Sequence, residues 1–505
     1  MLEWFLTFTD TEVDMLYNST RNKNLKLTAS LAILKGLSDD GGLFVPQEIP
    51  EFDKSLDELK GLDYRELAYE IMKLYFDDFT EEELKSCIAS AYDDKFDTEE
   101  IAPLTYAGNV YYLELFHGKT IAFKDMALSI LPHLMTVSAK KNDIKEEIVI
   151  LTATSGDTGK AALAGFADVP GTRIMVFYPK DGVSPVQKLQ MVTQTGDNTC
   201  VVGVNGNFDD CQSAVKAIFN DAPFASQIRE KGFVFSSANS INIGRLIPQI
   251  VYYVYAYCRL LSDGRINEHD RINICVPTGN FGNILAAYYA KRMGLPVNRL
   301  ICASNENKVL FDFLKTGVYD KNRPFILTCS PSMDILISSN LERLIYHLAG
   351  DDDEKCAALM KELANGGRYE IDDAMKEGLS DFLEGFATQE QTFSQIRKLY
   401  EDTGYVIDPH TAVASFVYSS LKDTLTGEET VVASTASPFK FAKSVMSAIR
   451  PDLSGKDDLD LIDELASVSN TEVPAAIKEI KNAPVRHKTE TEKEEIKKAV
   501  TGFLS

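Results

Sequence analysis

A lysine between a phenylalanine and an aspartate, in HGKTIAFKDMAL (His117 to Leu128), is the first residue whose setting suits chemistry. Ile121, Ala122 and Phe123 place Lys124 beside apolar residues. Burial disfavours an ammonium, and a neutral amine is what a lysine needs to attack a carbonyl. For an arbitrary lysine the plain alternative, a solvated surface position, is the stronger one. A second candidate is TGNFGN (Thr278 to Asn283), directly after the apolar run RINICVP. Gly279 and Gly282 let backbone N–H groups approach an anion, and the helix that follows offers the positive end of its dipole, so the loop reads as a phosphate cradle. Glycine loops after strands are also ordinary connections. TATSGDTGKAAL (Thr152 to Leu163) sets the hydroxyls of Thr154, Ser155 and Thr158 in another strand–loop–helix unit, able to hold a carboxylate or a phosphate. It lacks the spacing and terminal GKS/T of a nucleotide loop, and Ser155 is not in a GxSxG elbow, which argues against ATP and against a serine hydrolase. In STASPFKF (Ser434 to Phe441), Thr435 can bond a ligand or cap a helix.

All four motifs need elements to hold them. From about residue 101 apolar strands alternate with glycine-containing loops and helices. EEIVILTA leads into TSGDTG and KAALAGFA; TRIMVFYP into PVQKLQMV; NTCVVGV into NGNFDD and CQSAVKAIF; RINICVP into TGNFGN and ILAAYYAKRMG; ETVVAS into TASP and FKFAKSVMSAI. Continuous apolar strands followed by helices predict parallel α/β sheets. The first hundred residues carry helix patterns instead. Tyr64 to Tyr75 and Thr80 to Tyr92 space their apolar residues at three and four, and Thr80 with Glu83 forms a capping-box pattern. The charge run Asp351 to Lys355 reads as an exposed loop before the helix CAALMKELA, and KTETEKEEIKKAV near the C-terminus as a solvated helix face.

The 505 residues are 45% hydrophobic and 25% charged, with a net charge of -23. So acidic a chain argues against nucleic acid or an anionic membrane as partner. The eight cysteines are scattered singly, with no CxxC pair, which reads as buried thiols in a reducing compartment and not as a disulfide frame or a metal site. The N-terminus carries acids where a leader would carry bases, so a cytoplasmic setting is expected. No apolar run reaches the length of a membrane span.

Taken together, a lysine, a hydroxyl-rich loop, a glycine–asparagine loop and a last hydroxyl loop, all at strand–helix junctions, resemble the fold type II pyridoxal-phosphate enzymes. HGKTIAFKD, SGDTG, STR (Ser19 to Arg21), LKGLSDDGGLFVP (Leu34 to Pro46), SANSINIGRLIPQ (Ser237 to Gln249), SPSMDI (Ser330 to Ile335) and GYVIDPHTAVA (Gly404 to Ala414) narrow the resemblance to threonine synthases. It spans roughly residues 19 to 445 in order. Two positions depart from that family's pattern: Lys119, where a proline is usual, and Ser437, where a histidine is usual.

The resemblance implies an α/β fold with parallel sheets flanked by helices. The expected parts are an N-terminal helical domain (1–100), a large cofactor-binding domain (101–130 and 236–450), a small α/β domain (131–235) and a C-terminal helical tail (451–505). It implies pyridoxal 5'-phosphate carried by Lys124, its phosphate held by Gly279, Asn280, Phe281, Gly282 and Asn283, and its ring nitrogen met by Thr435. Thr154, Ser155, Asp157 and Thr158 are expected at the substrate's carboxylate and phosphate ends, with Asn239, Ser240, Asn242 and Arg245 on its phosphate. An arginine suits a phosphate through its bidentate fork; the competing reading of Arg245 is an internal salt bridge. His117 and His410 are expected to pack or support. The implied reaction removes phosphate from O-phospho-L-homoserine and adds water to give L-threonine, in a monomer or a homodimer. A phospholyase that eliminates phosphate without adding water, and a non-catalytic relative, are the alternatives. Lys124, Gly279 and Gly282, all present, speak against the second.

Overall fold

The computed structural model describes residues 15–154, 156–181, 183–425 and 429–505. Two parallel sheets dominate. The larger has six strands in the order Phe382–Phe386, Val297–Ser304, Ile272–Pro277, Thr430–Ser434, Val110–Glu114 and Leu104–Ala107. All its pairings are parallel except the last, a hairpin. That hairpin turns on Gly108 and Asn109, both at positive φ, as a two-residue turn matched to strand twist requires. The smaller sheet has five parallel strands in the order Thr489–Glu492, Thr199–Asn205, Thr172–Pro179, Glu147–Ala153 and Phe233–Ser236. The central strands of both are almost wholly buried, which is why they read as unbroken apolar runs.

The helix Ile243–Ser262 is buried over nearly its whole length. It packs on the helices Tyr64–Met72, Asp125–Leu128 and Gly282–Arg292. A helix apolar on every side belongs in a core. Among the described residues no helix is long and apolar enough to cross a membrane.

Three segments differ from the sequence reading. The N-terminal region has its helices, with Thr80 and Glu83 closing the expected capping box. It also carries a three-stranded antiparallel sheet of Asn22–Leu27, Tyr17–Ser19 and Phe44–Pro46; the last two are three residues long, too short for alternation to be read, and the first is polar and mostly exposed. The charge run at residue 351 is no free loop: Asp352 caps the helix Asp353–Gly366, and Asp353 accepts from the Lys23 backbone 2.8 Å away. The tail is not purely helical. Thr489–Glu492 is an edge strand on the smaller sheet, and the helix Ile496–Phe503 buries Ile496 and Val500 against that sheet's core. Its many charges face water and mask three apolar positions, Ile496, Val500 and Leu504, spaced at four.

Candidate active site

The loops singled out in the sequence follow the carboxyl ends of parallel strands, where ligands bind in open α/β sheets. TGNFGN follows Ile272–Pro277, Thr435 follows Thr430–Ser434, SGDTG follows Glu147–Ala153, and the lysine segment lies beyond Val110–Glu114. The lysine segment is tied to the Thr435 loop by backbone bonds. Phe123 N–H donates to the Thr435 carbonyl at 2.8 Å and Ser437 N–H to the Ile121 carbonyl at 3.0 Å, with Ala122 bridging Ala436. Lys124 then opens the short helix Asp125–Leu128. Asp125 is buried and bonded to the Thr120 amide and hydroxyl at 2.8 and 2.6 Å, which closes the turn around the exposed Lys119.

Lys124 Nζ lies 3.3 Å from Ser332 Oγ and 3.7 Å from Asp157 Oδ2. Burial pulls its amine below the ordinary lysine range; Asp157 opposes this, and the charges of Lys440 and Arg245 assist it. Asp157 accepts from Ser332 Oγ and Gln187 Nε2, both at 2.9 Å, and meets Lys440 Nζ at 3.1 Å. Burial alone would raise its carboxyl, but Lys440 and Lys124 hold it far below the usual carboxylate range. A carboxylate so placed repels a substrate anion, so the geometry puts Asp157 among cations and not on a phosphate.

The helix Gly282–Arg292 starts inside TGNFGN, leaving the N–H groups of its first turn without intrahelical acceptors. Phe281 is held at φ 63°, and a Cβ on Gly279 would come within 2.7 Å of the Ser332 carbonyl oxygen. Asn283 Oδ1 accepts from Tyr252 at 2.9 Å and from Tyr253, while its buried Nδ2 has no partner. A row of free donors at a helix start, closed on one side and ending in an orphaned amide, fits an anionic group such as a phosphate ester.

Arg245 is buried, and its Nη1 donates to the Ala238 carbonyl at 2.9 Å. Its Nε has no partner, and no carboxylate among the described residues pairs with it. Burial lowers this guanidinium to about 10. The internal salt bridge weighed as its alternative is therefore not what the structure shows.

Other expected contacts are placed differently. Asn242 caps the helix Ile243–Ser262, accepting from Gly244 N–H at 2.9 Å, while its amide donates to the Ile33 and Ser237 carbonyls. With both halves of its amide engaged it is a structural pin. Thr154 Oγ1 accepts from Gly156 and Gly159 N–H at 3.0 and 2.9 Å, which leaves its O–H to donate. Thr158 and Ser240 are half-buried and Asn239 is exposed; Ser155 lies outside the described residues. Thr435 is buried and does not cap the next turn: Ser437 does, accepting from Phe439 N–H at 3.4 Å. The serine that departs from the family's histidine is thus spent on a cap. His117 sits apart between Asp97 and Glu114, at 2.6 and 2.9 Å. His410 bonds Asp408 at 2.7 Å and accepts the Ser332 N–H at 3.2 Å, so it orients the loop that touches Lys124.

Ser332, Gln187 and Lys440 were not singled out from the sequence. Lys440 stands between Phe439 and Phe441, the same apolar setting that drew attention to Lys124, and its side chain is 0% exposed. The capping-box spacing of Ser184 and Gln187 marks only a helix start, and Ser332 is marked only by its place in SPSMDI.

Comparison with known proteins identifies the chain's family. Residues 16–92 match the family model for the threonine synthase N terminus, and residues 99–373 that for pyridoxal-phosphate dependent enzymes. Threonine synthase of Saccharomyces cerevisiae is 37% identical over 466 residues, covering 86% of this chain and 89% of that one. The chain belongs to the threonine synthase family. A solved structure of pyridoxal-phosphate-bound threonine synthase from Brucella melitensis superposes with a TM-score of 0.85 at 34% identity, covering 97% of this chain and 99% of that one. Human threonine synthase-like 1 is 41% identical over 434 residues, 83% of this chain but 58% of that protein, so this family member spans little over half the length of that relative.

Proposed function

We propose that the chain is a threonine synthase. It removes phosphate from the γ-carbon of O-phospho-L-homoserine and adds water at Cβ, giving L-threonine and inorganic phosphate, with pyridoxal 5'-phosphate carried on Lys124. The observation that carries this reading is Arg245: a buried guanidinium with a free Nε and no carboxylate partner among the described residues, near enough for its charge to act on Lys124. A buried unpaired cation is costly, and an anionic group of the substrate relieves that cost.

Lys124 would bear the cofactor, the loop Gly279–Asn283 would hold its phosphate, and the Thr435 hydroxyl would meet its ring nitrogen. When bound, this cofactor supplies an electron sink for carbon acids next to the substrate amine. Released from the cofactor, the Lys124 amine takes and returns protons at Cα and Cβ. Arg245 orients the leaving phosphate through charge-assisted bonds. Ser332, held by His410, fixes the reach of Lys124. Eight free cysteines, six of them buried, support a reducing, cytoplasmic setting.

The test is to incubate the purified protein with O-phospho-L-homoserine and assay threonine, phosphate and 2-oxobutyrate together. Threonine and phosphate in equal amounts are expected. Phosphate with 2-oxobutyrate and no threonine identifies a phospholyase; no turnover at all overturns the reading.

A further inference from the structure

One buried cation has no part in these roles. Lys440 lies on the single turn Pro438–Phe441, fully enclosed. Its Nζ donates to the Thr120 carbonyl at 2.9 Å and meets Asp157 Oδ1 at 3.1 Å. The other oxygen of the same carboxylate faces Lys124 at 3.7 Å, with Ser332 Oγ donating to it from 2.9 Å and receiving from Lys124 at 3.3 Å. One carboxylate thus stands between two lysines, and it can neutralise one ammonium.

Lys440 has the stronger claim. It is nearer, it is the more buried, and it has a second acceptor in the Thr120 carbonyl. Lys124 is farther from Asp157, reaches it partly through a hydroxyl, and feels the charge of Arg245 as well. We propose that Lys440 is a positioning residue of the reaction: by engaging Oδ1 of Asp157 it commits that carboxylate's charge, so that Lys124 stands beside Asp157 as a neutral amine able to attack a carbonyl. This rests on the reading of Lys124 as the cofactor lysine. A cationic neighbour that keeps a second lysine unprotonated is a known route to an activated amine. The charged groups concerned are Asp157, Lys440 and Arg245 around Lys124, His410 near Asp157, and Asp125 and Lys160 near Lys440. Burial pulls the Lys124 amine down most; Asp157 raises it, and Lys440 and Arg245 lower it.

The decisive measurement is the pH dependence of trace acetylation of Lys124 in the full-length, cofactor-stripped chain, using acetic anhydride and peptide mass spectrometry. Exposed Lys145 serves as internal reference for a solvent-facing lysine. In the parent the Lys124 midpoint is expected at least one pH unit below that of Lys145; equal midpoints overturn the proposal without any variant. Lys440→Met should raise the Lys124 midpoint by one unit or more, a tenfold loss of reactivity at pH 8, whereas Asp157→Asn should never raise it. Lys440→Gln, which keeps a donor for the Thr120 carbonyl, is the second variant should Lys440→Met not fold. A folded Lys440 variant with an unmoved midpoint reduces Lys440 to a packing residue. Uptake of pyridoxal phosphate by the parent is followed in parallel. Failure of uptake overturns the proposed function and leaves the labelling result standing; uptake with an unmoved midpoint overturns this inference alone.

Discussion

Arg245 offers the sharpest contrast between a ligand role and a structural one. Arg245→Ala should weaken O-phospho-L-homoserine by about 1.5–3 kcal/mol, roughly ten- to a hundredfold in dissociation constant, and leave norvaline, which has no phosphate, almost unaffected. Equilibrium titration with both ligands checks this, and equal losses would make the arginine structural. For Thr435, the turn that follows already has its cap in Ser437, so an aspartate introduced there finds no capping role to fill. Thr435→Ala should keep the cofactor, at a cost of about 0.5–1.5 kcal/mol. Thr435→Asp should change the visible spectrum and the rate, because a carboxylate favours a protonated ring nitrogen. A silent Thr435→Asp would end the ring-nitrogen role. His117 makes a pH prediction. Burial works against its imidazolium, but Asp97 and Glu114 outweigh burial and lift it to about 9. A raised folded value means the stabilisation is complete below about pH 6.5 and is lost as pH climbs to about 9. Urea unfolding should therefore show stability falling over that window by about 3 kcal/mol, and His117→Gln should flatten the fall. Of the candidate site, the placing of Lys124, the 279–283 loop, Arg245 and Thr435 beside one another's strand–helix junctions was legible because motif and junction coincide. Asn242 reads as a ligand residue because a cap and a ligand contact call for the same side-chain chemistry; only the fold shows which backbone groups lie within reach.

The helices that carry Lys124 and Asp157 meet at a glycine. Gly165, on the helix Asp157–Phe166, lies so close to the helix Asp125–Leu128 that a Cβ would come within 2.1 Å of the Leu128 carbonyl oxygen. A backbone atom cannot yield as a side chain would. Gly165→Ala should cost about 1–3 kcal/mol through overpacking and widen the gap between Lys124 and Asp157. Urea midpoints and the Lys124 labelling profile would register the two effects separately; an unchanged midpoint would show that the helices can slide. Strands such as Ile272–Pro277 and Thr172–Pro179 were readable because both faces are buried and the apolar run is continuous. Thr489–Glu492 was not. It is an edge strand whose residues are mostly exposed, so its pairing is made by backbone bonds that leave no mark on residue type.

Across the whole molecule, the smaller sheet depends on the far end of the chain. Leu504, Val500 and Ile496 complete a cluster with Val202, Val204 and Phe224. Leu504→Ala should cost about 2–5 kcal/mol as a buried truncation, read by urea unfolding, and removal of residues 484–505 should expose the Thr199–Asn205 edge and promote aggregation measurable by light scattering. Soluble, fully active protein after that truncation would show the tail to be dispensable. The same closure sets an order in time. Asn205 Nδ2 donates to Glu492 across 287 residues of sequence. A ribosome adding roughly 5–20 residues per second needs about 15–60 s to travel that far. Throughout that interval the nascent smaller sheet carries an open strand edge and an uncovered apolar face, so its final form waits until residues 489–504 have been made. Chaperone occupancy during synthesis should then persist until those residues emerge, and a stop codon ahead of Thr489 would strand the protein in the state that aggregates.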